Sequence, residues 1–181
     1  ASDVYKRQLL LSGTYSFYLY RNTETTDNRF ALETAYGEKS KLILADGTVV
    51  WLNAGSSLQY AGNFNSKNRE VFLTGEAYFE VTKQSDGTPF VVKTDQYSVL
   101  VKGTKFNVKA YFDEKSVVTL AEGKVEVETN DCKNRLTLKP NEQVSYSGSS
   151  GLALEKNINT NTVKLWMKGE GAFIQCRLDH I

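Results

Sequence analysis

The sequence predicts an all-β domain of many short strands, arranged either as an antiparallel β-sandwich or as a short β-solenoid. Short apolar runs are separated by Gly, Asp and Asn about every eight to twelve residues, which is typical of all-β proteins. Several runs alternate apolar and polar residues, as half-buried antiparallel strands do. The only two prolines, Pro89 and Pro140, fall at strand starts or turns, where a missing backbone donor is tolerated.

The strands are predicted in order from these alternating runs. The first two, Lys41–Leu44 and Val49–Leu52, flank Asp46-Gly47, and Asp-Gly between apolar runs indicates a hairpin whose turn needs positive φ. The further predicted strands are Glu70–Leu73, Glu76–Val81, Phe90–Lys93, Tyr97–Val101, Lys105–Phe112, Val117–Leu120, Lys124–Glu128, Arg135–Leu138 and Gln143–Tyr146.

Two of these runs predict which side chains share a face. Phe106, Val108, Ala110 and Phe112 fall on one side of their strand. Val49–Leu52 is apolar on both faces, so that strand is either enclosed between layers or presents Trp51 as a binding surface. The solenoid alternative depends on a weak internal repeat, because Leu73–Val81 resembles Leu120–Val127; two copies fall short of an array.

The N-terminal part differs from the rest. Residues 1–8 are polar and unpatterned, and we interpret them as an artefact of cloning or sequence assembly. Residues 9–21 (LLLSGTYSFYLYR) are too short to span a bilayer but match its aromatic and cationic boundary, so they are interpreted as the remnant of a transmembrane helix. The alternative is a first β-strand. Residues 22–35, with a Thr-rich start, are predicted to be a linker.

Composition excludes several functions. The chain has 181 residues, 22 basic and 21 acidic, with a formal net charge of +1. It therefore lacks the basic excess that nucleic-acid binding requires. The single histidine, His180, argues against histidine-based catalysis and metal centres. Cys132 and Cys176 have no CxxC partner; they either form one disulfide or remain two unpaired thiols. We expect no catalytic residue, cofactor or metal site.

Glu76 and Glu80 are the strongest candidates for a catalytic carboxylate pair. Four residues along a strand place their Cα atoms roughly 13 Å apart, whereas glycosidase carboxyl groups lie about 5–9.5 Å apart. Both are therefore interpreted as solvated strand charges.

Five ordered motifs resemble those of the FecR-like family of anti-sigma factors. They read LADGTVVWLNAGSSLQY (44–60), REVFLTGEAYFEV (69–81), VLVKGTKFNVKAY (99–111), VTLAEGKV (118–125) and LTLKPNEQ (136–143). Two residues depart from the family pattern: Lys102, where an apolar residue is commoner, and Asn141, where Gly is frequent.

The resemblance implies a set of structural or interaction residues. They are Asp46, Gly47, Trp51, Leu52, Asn53, Gly75, Glu76, Phe79, Gly103, Thr104, Phe106, Asn107, Glu122 and Gly123. It also implies a FecR-like periplasmic β-domain at residues 36–147, followed at 148–181 by a linker and the start of a truncated C-terminal subdomain.

The same resemblance implies the function. Such a protein is anchored in the inner membrane by a single span, with this part in the periplasm. It controls an ECF sigma factor through a cytoplasmic segment absent from this chain, in response to an outer-membrane TonB-dependent receptor. The competing hypothesis is a carbohydrate-binding or structural β-module, in which Trp51, Tyr78 and Tyr111 would form an exposed aromatic platform.

Overall fold

The structure is a computed structural model that describes residues 29–64, 68–148, 151–161, 163, 166–167 and the backbone of 173–177. Those residues form many short strands and no α-helix. None of the described segments is a helix able to cross a membrane. Residues 1–28, including the predicted transmembrane remnant, and His180 lie outside the described residues.

Among the described residues, fourteen segments form strands, and most of them alternate buried and accessible side chains. They are β1 (Arg29–Glu33), β2 (Lys39–Ile43), β3 (Val49–Leu52), β4 (Ser57–Ala61), β5 (Glu70–Glu80), β6 (Phe90–Lys93), β7 (Tyr97–Val101), β8 (Lys105–Ala110), β9 (Ser116–Glu122), β10 (Val125–Thr129), β11 (Arg135–Leu138), β12 (Glu142–Ser147), β13 (Gly151–Lys156) and β14 (Phe173–Arg177). The all-β prediction is confirmed.

The strands form two sheets that share β5. Sheet A has the order β1-β4-β5-β6-β7-β10-β11, and sheet B has the order β14-β2-β3-β5-β8-β9-β12-β13. All neighbours are antiparallel except β5 with β6 and β14 with β2. The arrangement is therefore a mainly antiparallel sandwich.

One hydrophobic core lies between the two sheets. The motif residues Leu52, Phe79 and Phe106 are all fully buried in it. Phe79 of sheet B contacts Phe90 of sheet A, with ring centroids 5.9 Å apart, and stacks on Phe106 at 5.1 Å. Apolar burial on this scale is the main force that holds such sheets together.

Strand β5 joins the sheets. Its first half pairs with β4 and β6, whereas its second half pairs with β3 and β8. The change occurs at Gly75, whose φ is 100°. A Cβ there would lie 2.7 Å from the Cα of Ser56, so only glycine fits both the conformation and the space.

Some strand predictions were wrong. Glu70–Leu73 and Glu76–Val81 form a single strand, because Gly75 bends β5 without ending it. Strand β8 ends at Ala110, and Phe112 is 86% exposed in the following turn. Residues 29–33, assigned to a linker, form strand β1 and pair with β4.

Strands β4, β13 and β14 were not predicted. Residues 151–156, predicted to follow the β-domain, form β13 and pair with β12 in the same sheet. Strand β14 adds to β2 at the opposite edge of sheet B. Asn141, which departs from the family's glycine, has φ of 64°, a conformation that asparagine tolerates better than most residues.

Candidate functional site

The Asp46-Gly47 turn begins a buried polar cluster. The turn forms as predicted between β2 and β3, and Gly47 has φ of 83°. Asp46 is more than a turn residue, however, because its side chain is fully buried and pairs with Arg69. Arg69 Nε and Nη2 both donate to Asp46 Oδ2, at 2.9 and 2.5 Å. Thr48 donates to the same carboxylate through its backbone N–H and its hydroxyl.

Arg69 also connects the two ends of β5. Its Nη2 donates to the carbonyl of Thr82 at 2.8 Å, and its Nη1 donates to the carbonyl of Thr88 at 3.0 Å. Residues 69 and 82 would lie roughly 43 Å apart on a straight strand. One side chain reaches from one end to the other because β5 folds about Gly75. We call Asp46, Thr48, Arg69, Thr82 and Thr88 the clamp.

A second polar cluster surrounds Glu76 on the outer face of sheet B. Asn53 Nδ2 and Asn107 Nδ2 each donate to one of the Glu76 carboxylate oxygens, both at 2.8 Å. The backbone supports this pairing, since the N–H of Asn53 donates to the carbonyl of Glu76 at 2.9 Å. Glu76 is therefore a half-buried, hydrogen-bonded carboxylate, and its interpretation as a solvated charge was wrong.

The loop after β8 extends this cluster. The Tyr111 hydroxyl donates to the carbonyl of Ala54 at 2.8 Å. The hydroxyl of Ser56 accepts the N–H of Glu76 at 2.9 Å. These contacts bring the AGSS turn of the first motif against the corner of β5, so three motifs meet at one place.

The three aromatic side chains of the sugar-binding hypothesis do not form an exposed platform. Tyr78 is fully buried, and Trp51 packs edge-on against it with ring centroids 5.8 Å apart. Trp51 is half-buried beneath Lys41, whose Nζ lies 5.0 Å from the ring centroid. Tyr111 is half-buried and hydrogen-bonded. A flat sugar surface requires exposed ring faces, which these residues do not provide.

Gly103, Thr104, Glu122 and Gly123 meet at one end of the sandwich. A Cβ on Gly103 would lie 2.8 Å from the Cβ of Lys83, and a Cβ on Gly123 would lie 3.1 Å from the carbonyl oxygen of Gly103. Thr104 Oγ1 donates to the carbonyl of Lys124 at 3.1 Å. Glu122 pairs with Lys105 at 3.0 Å on the surface. These motif residues allow two turns to pack closely.

Burial alters the ionisation of two tyrosines. Burial raises the pKa of Tyr78 to about 12, and the charges of Glu80 and Glu122 add to the effect. Burial also raises the pKa of Tyr97. Both hydroxyls thus remain protonated well above neutral pH.

Several residues that complete these clusters were missed from the sequence. Arg69 and Ser56 lie within the motifs, but their types gave no sign of burial. Trp166 lies near β2, where its carbonyl accepts a hydrogen bond from Lys39 Nζ. Cys132 is an exposed free thiol in a turn, and the side chain of Cys176 lies outside the described part.

Comparison with known proteins agrees with this geometry. The family model described as FecR protein matches residues 30–126, more than half of the chain. Two crystal structures of a protein from Parabacteroides distasonis ATCC 8503, assigned as an anti-sigma factor, are similar to this chain; they were determined at 2.50 and 1.65 Å resolution. Each is 36% identical with a TM-score of 0.71, covering 78% and 77% of this chain. Among curated proteins, none matches.

The fold and its five motifs thus define a FecR-type β-domain. The chain belongs to the FecR protein family. It spans 65% of the length of the two Parabacteroides distasonis chains.

Proposed function

We propose that this chain is the periplasmic, signal-relaying part of an anti-sigma factor anchored in the inner membrane. The observation that carries the proposal is the 36% identity to structures assigned as an anti-sigma factor, over more than three quarters of this chain. Membership of the FecR family supports it. The regulated protein would be an ECF sigma factor, bound by a cytoplasmic segment absent from this chain, and the signal would come from an outer-membrane TonB-dependent receptor.

The described domain suits a relay because its two sheets are tied together at both ends. Gly75 joins them at the corner of β5, and the clamp joins them at the opposite end. A domain held in this way transmits a displacement as a unit. A ligand-driven switch requires that the partner bind one of two states more tightly than the other.

Exposed sheet edges supply a means of partner binding. Strand β1 pairs only with β4, and β11 pairs only with β10 among the described strands. An edge strand offers unpaired backbone donors and acceptors to an added strand. The receptor's periplasmic segment would bind by adding a strand at one of these edges.

A transcription experiment tests the proposal. In-frame deletion of residues 36–147 from the chromosomal gene is compared with a Cys132→Ser strain, which changes an exposed turn thiol and should behave as wild type. We expect the deletion to change the transcripts of a small gene set served by one ECF-type promoter, measured by RNA sequencing. If no such set changes while the truncated protein accumulates normally, the proposal is wrong.

A further inference from the structure

The end of sheet A at which β1 begins also carries a group of lysines. Arg29, at the start of β1, pairs with Ala61 at the end of β4. The end of β4 lies beside the start of β5, whose Glu70 pairs with Val91 of β6. The start of β6 in turn pairs with the end of β7. There Val101 is opposite Val125. Lys102 and Lys124, which adjoin those two valines, therefore lie at the same end as the start of β1.

Lys83, Lys102 and Lys124 line one hollow of about 550 Å³ at this end. All three are exposed, and none has an acidic partner within 4.0 Å among the residues that the structure describes. The rest of the wall is formed by Pro89, Leu100, Val101, Gly103, Thr104 and Glu126. We call this site the lysine hollow.

Packed backbone holds the three lysines together. Lys83 lies against Gly103, where no larger residue fits, and Thr104 Oγ1 holds the backbone of Lys124. The acidic residues nearby are mostly engaged: Glu126 pairs with Arg135 at 2.7 Å, and Glu122 pairs with Lys105. Glu80, which lines an adjacent cavity with Lys83, remains as one opposing charge. Three lysines against one opposing carboxylate leave the hollow with a net positive charge.

We propose that the lysine hollow binds the phosphate groups of anionic phospholipids, so that this end of the sandwich faces the bilayer. This inference rests on the proposed function, because it takes the chain before β1 to come from a membrane span. Lysine ammonium groups bind phosphate well, and basic clusters close to a bilayer are attracted to anionic lipid. The partly apolar wall of Pro89 and Leu100 suits a lipid headgroup better than a fully hydrated ion.

Vesicle binding by the 181-residue chain tests the inference. Partition onto vesicles of phosphatidylcholine alone is compared with partition onto vesicles that also contain phosphatidylglycerol. The ratio of the two partition coefficients cancels any binding through residues 9–21 that is common to both kinds of vesicle. The variant is Lys83→Gln/Lys102→Gln/Lys124→Gln. The control is Lys93→Gln/Lys115→Gln/Lys133→Gln, which removes the same charge from the other end of the sheets.

Each lysine in contact with the surface is worth about fivefold in partition. We therefore expect the first variant to lose at least about twentyfold of the phosphatidylglycerol preference, whereas the control keeps it within about twofold. Equal partition of the wild type onto both vesicles, or equal loss in both variants, would overturn the inference. So would binding of inorganic phosphate to the Gly103 and Lys124 amides, followed by NMR, without any vesicle preference. Either failure leaves the transcription test unaffected, so the two proposals fail separately.

Discussion

Asp46 and Glu76 are two motif carboxylates in opposite environments. Asp46 is fully buried and forms an ion pair with Arg69. Glu76 is half-buried on an outer face and accepts hydrogen bonds from two neutral amide side chains. A buried charge that loses its partner remains desolvated, while a half-buried one can recover water. Asp46 therefore holds the two sheets together, whereas Glu76 organises a surface.

The largest expected effect comes from breaking the clamp. Asp46→Ala leaves the Arg69 guanidinium buried without its counter-charge, which costs about 3–5 kcal/mol in the free energy of unfolding. Urea denaturation measures it. The control is Glu70→Gln, which breaks a partly exposed pair with Lys93 and should cost less than about 1 kcal/mol. Similar costs for the two variants would contradict the structural role of the clamp.

Gly75→Ala tests the corner through which the clamp acts. The new methyl group meets the backbone of Ser56, and φ of 100° strains any other residue, so we expect a cost of at least about 2 kcal/mol. Gly37→Ala is the matched control, because Gly37 also has positive φ but nothing lies within 4 Å of its added methyl group. Its cost should be about 1 kcal/mol, from strain alone. Equal melting points would show that the corner is not crowded.

Unfolding at alkaline pH tests whether the Tyr78 hydroxyl, on the same face of β5 as Glu76, is buried away from water. The pKa of Tyr78 is raised to about 12 when folded, so the unfolded chain loses this proton first, near pH 10. Stability contributed by the neutral hydroxyl is present below about pH 10 and is lost as pH rises toward 12. Tyr78→Phe should reduce that loss by about 2 kcal/mol. Denaturation curves at several alkaline pH values give the free energy of unfolding of the variant and of the wild type. If both lose the same stability between pH 10 and 12, the Tyr78 hydroxyl is not buried as described.

Glu76→Ala should have the smallest effect on stability. It removes two hydrogen bonds to Asn53 and Asn107 at a half-buried position, which costs about 1–2 kcal/mol. Glu80→Ala lies four residues along the same strand, and the Glu80 side chain makes no hydrogen bond with any residue that the structure describes, so its cost should stay within about 0.5 kcal/mol. A loss at Glu76 as large as that at Asp46 would remove the distinction between the two carboxylates.

Local patterns predicted most of the strands, but they did not predict that β5 belongs to both sheets. The runs around Val49, Phe90 and Tyr97 have the bounds predicted from alternation. Strand β1 has only Leu32 packed on the core and β13 is largely exposed, so neither shows strong alternation. Alternation reports which face is buried, and it does not show that one strand enters two sheets.

The clamp could not be predicted for a related reason. Asp46 and Arg69 are 23 residues apart, and they meet only because β5 folds about Gly75. Charged residues next to turns are usually solvated, so their types favoured the wrong environment. Asn53, Glu76 and Asn107 were named from the motifs, but only the register of β3, β5 and β8 brings them into contact.

A pair of double-mutant cycles tests whether Asp46 stabilises the fold through Arg69 more strongly than Glu76 does through its amide partners. One cycle combines Asp46→Asn with Arg69→Met, and the other combines Glu76→Gln with Asn107→Ala, with the free energy of unfolding measured for each variant. We expect a coupling of about 3 kcal/mol or more between Asp46 and Arg69, and less than about 1.5 kcal/mol between Glu76 and Asn107. Equal couplings, or a larger one at Glu76, would contradict this expectation.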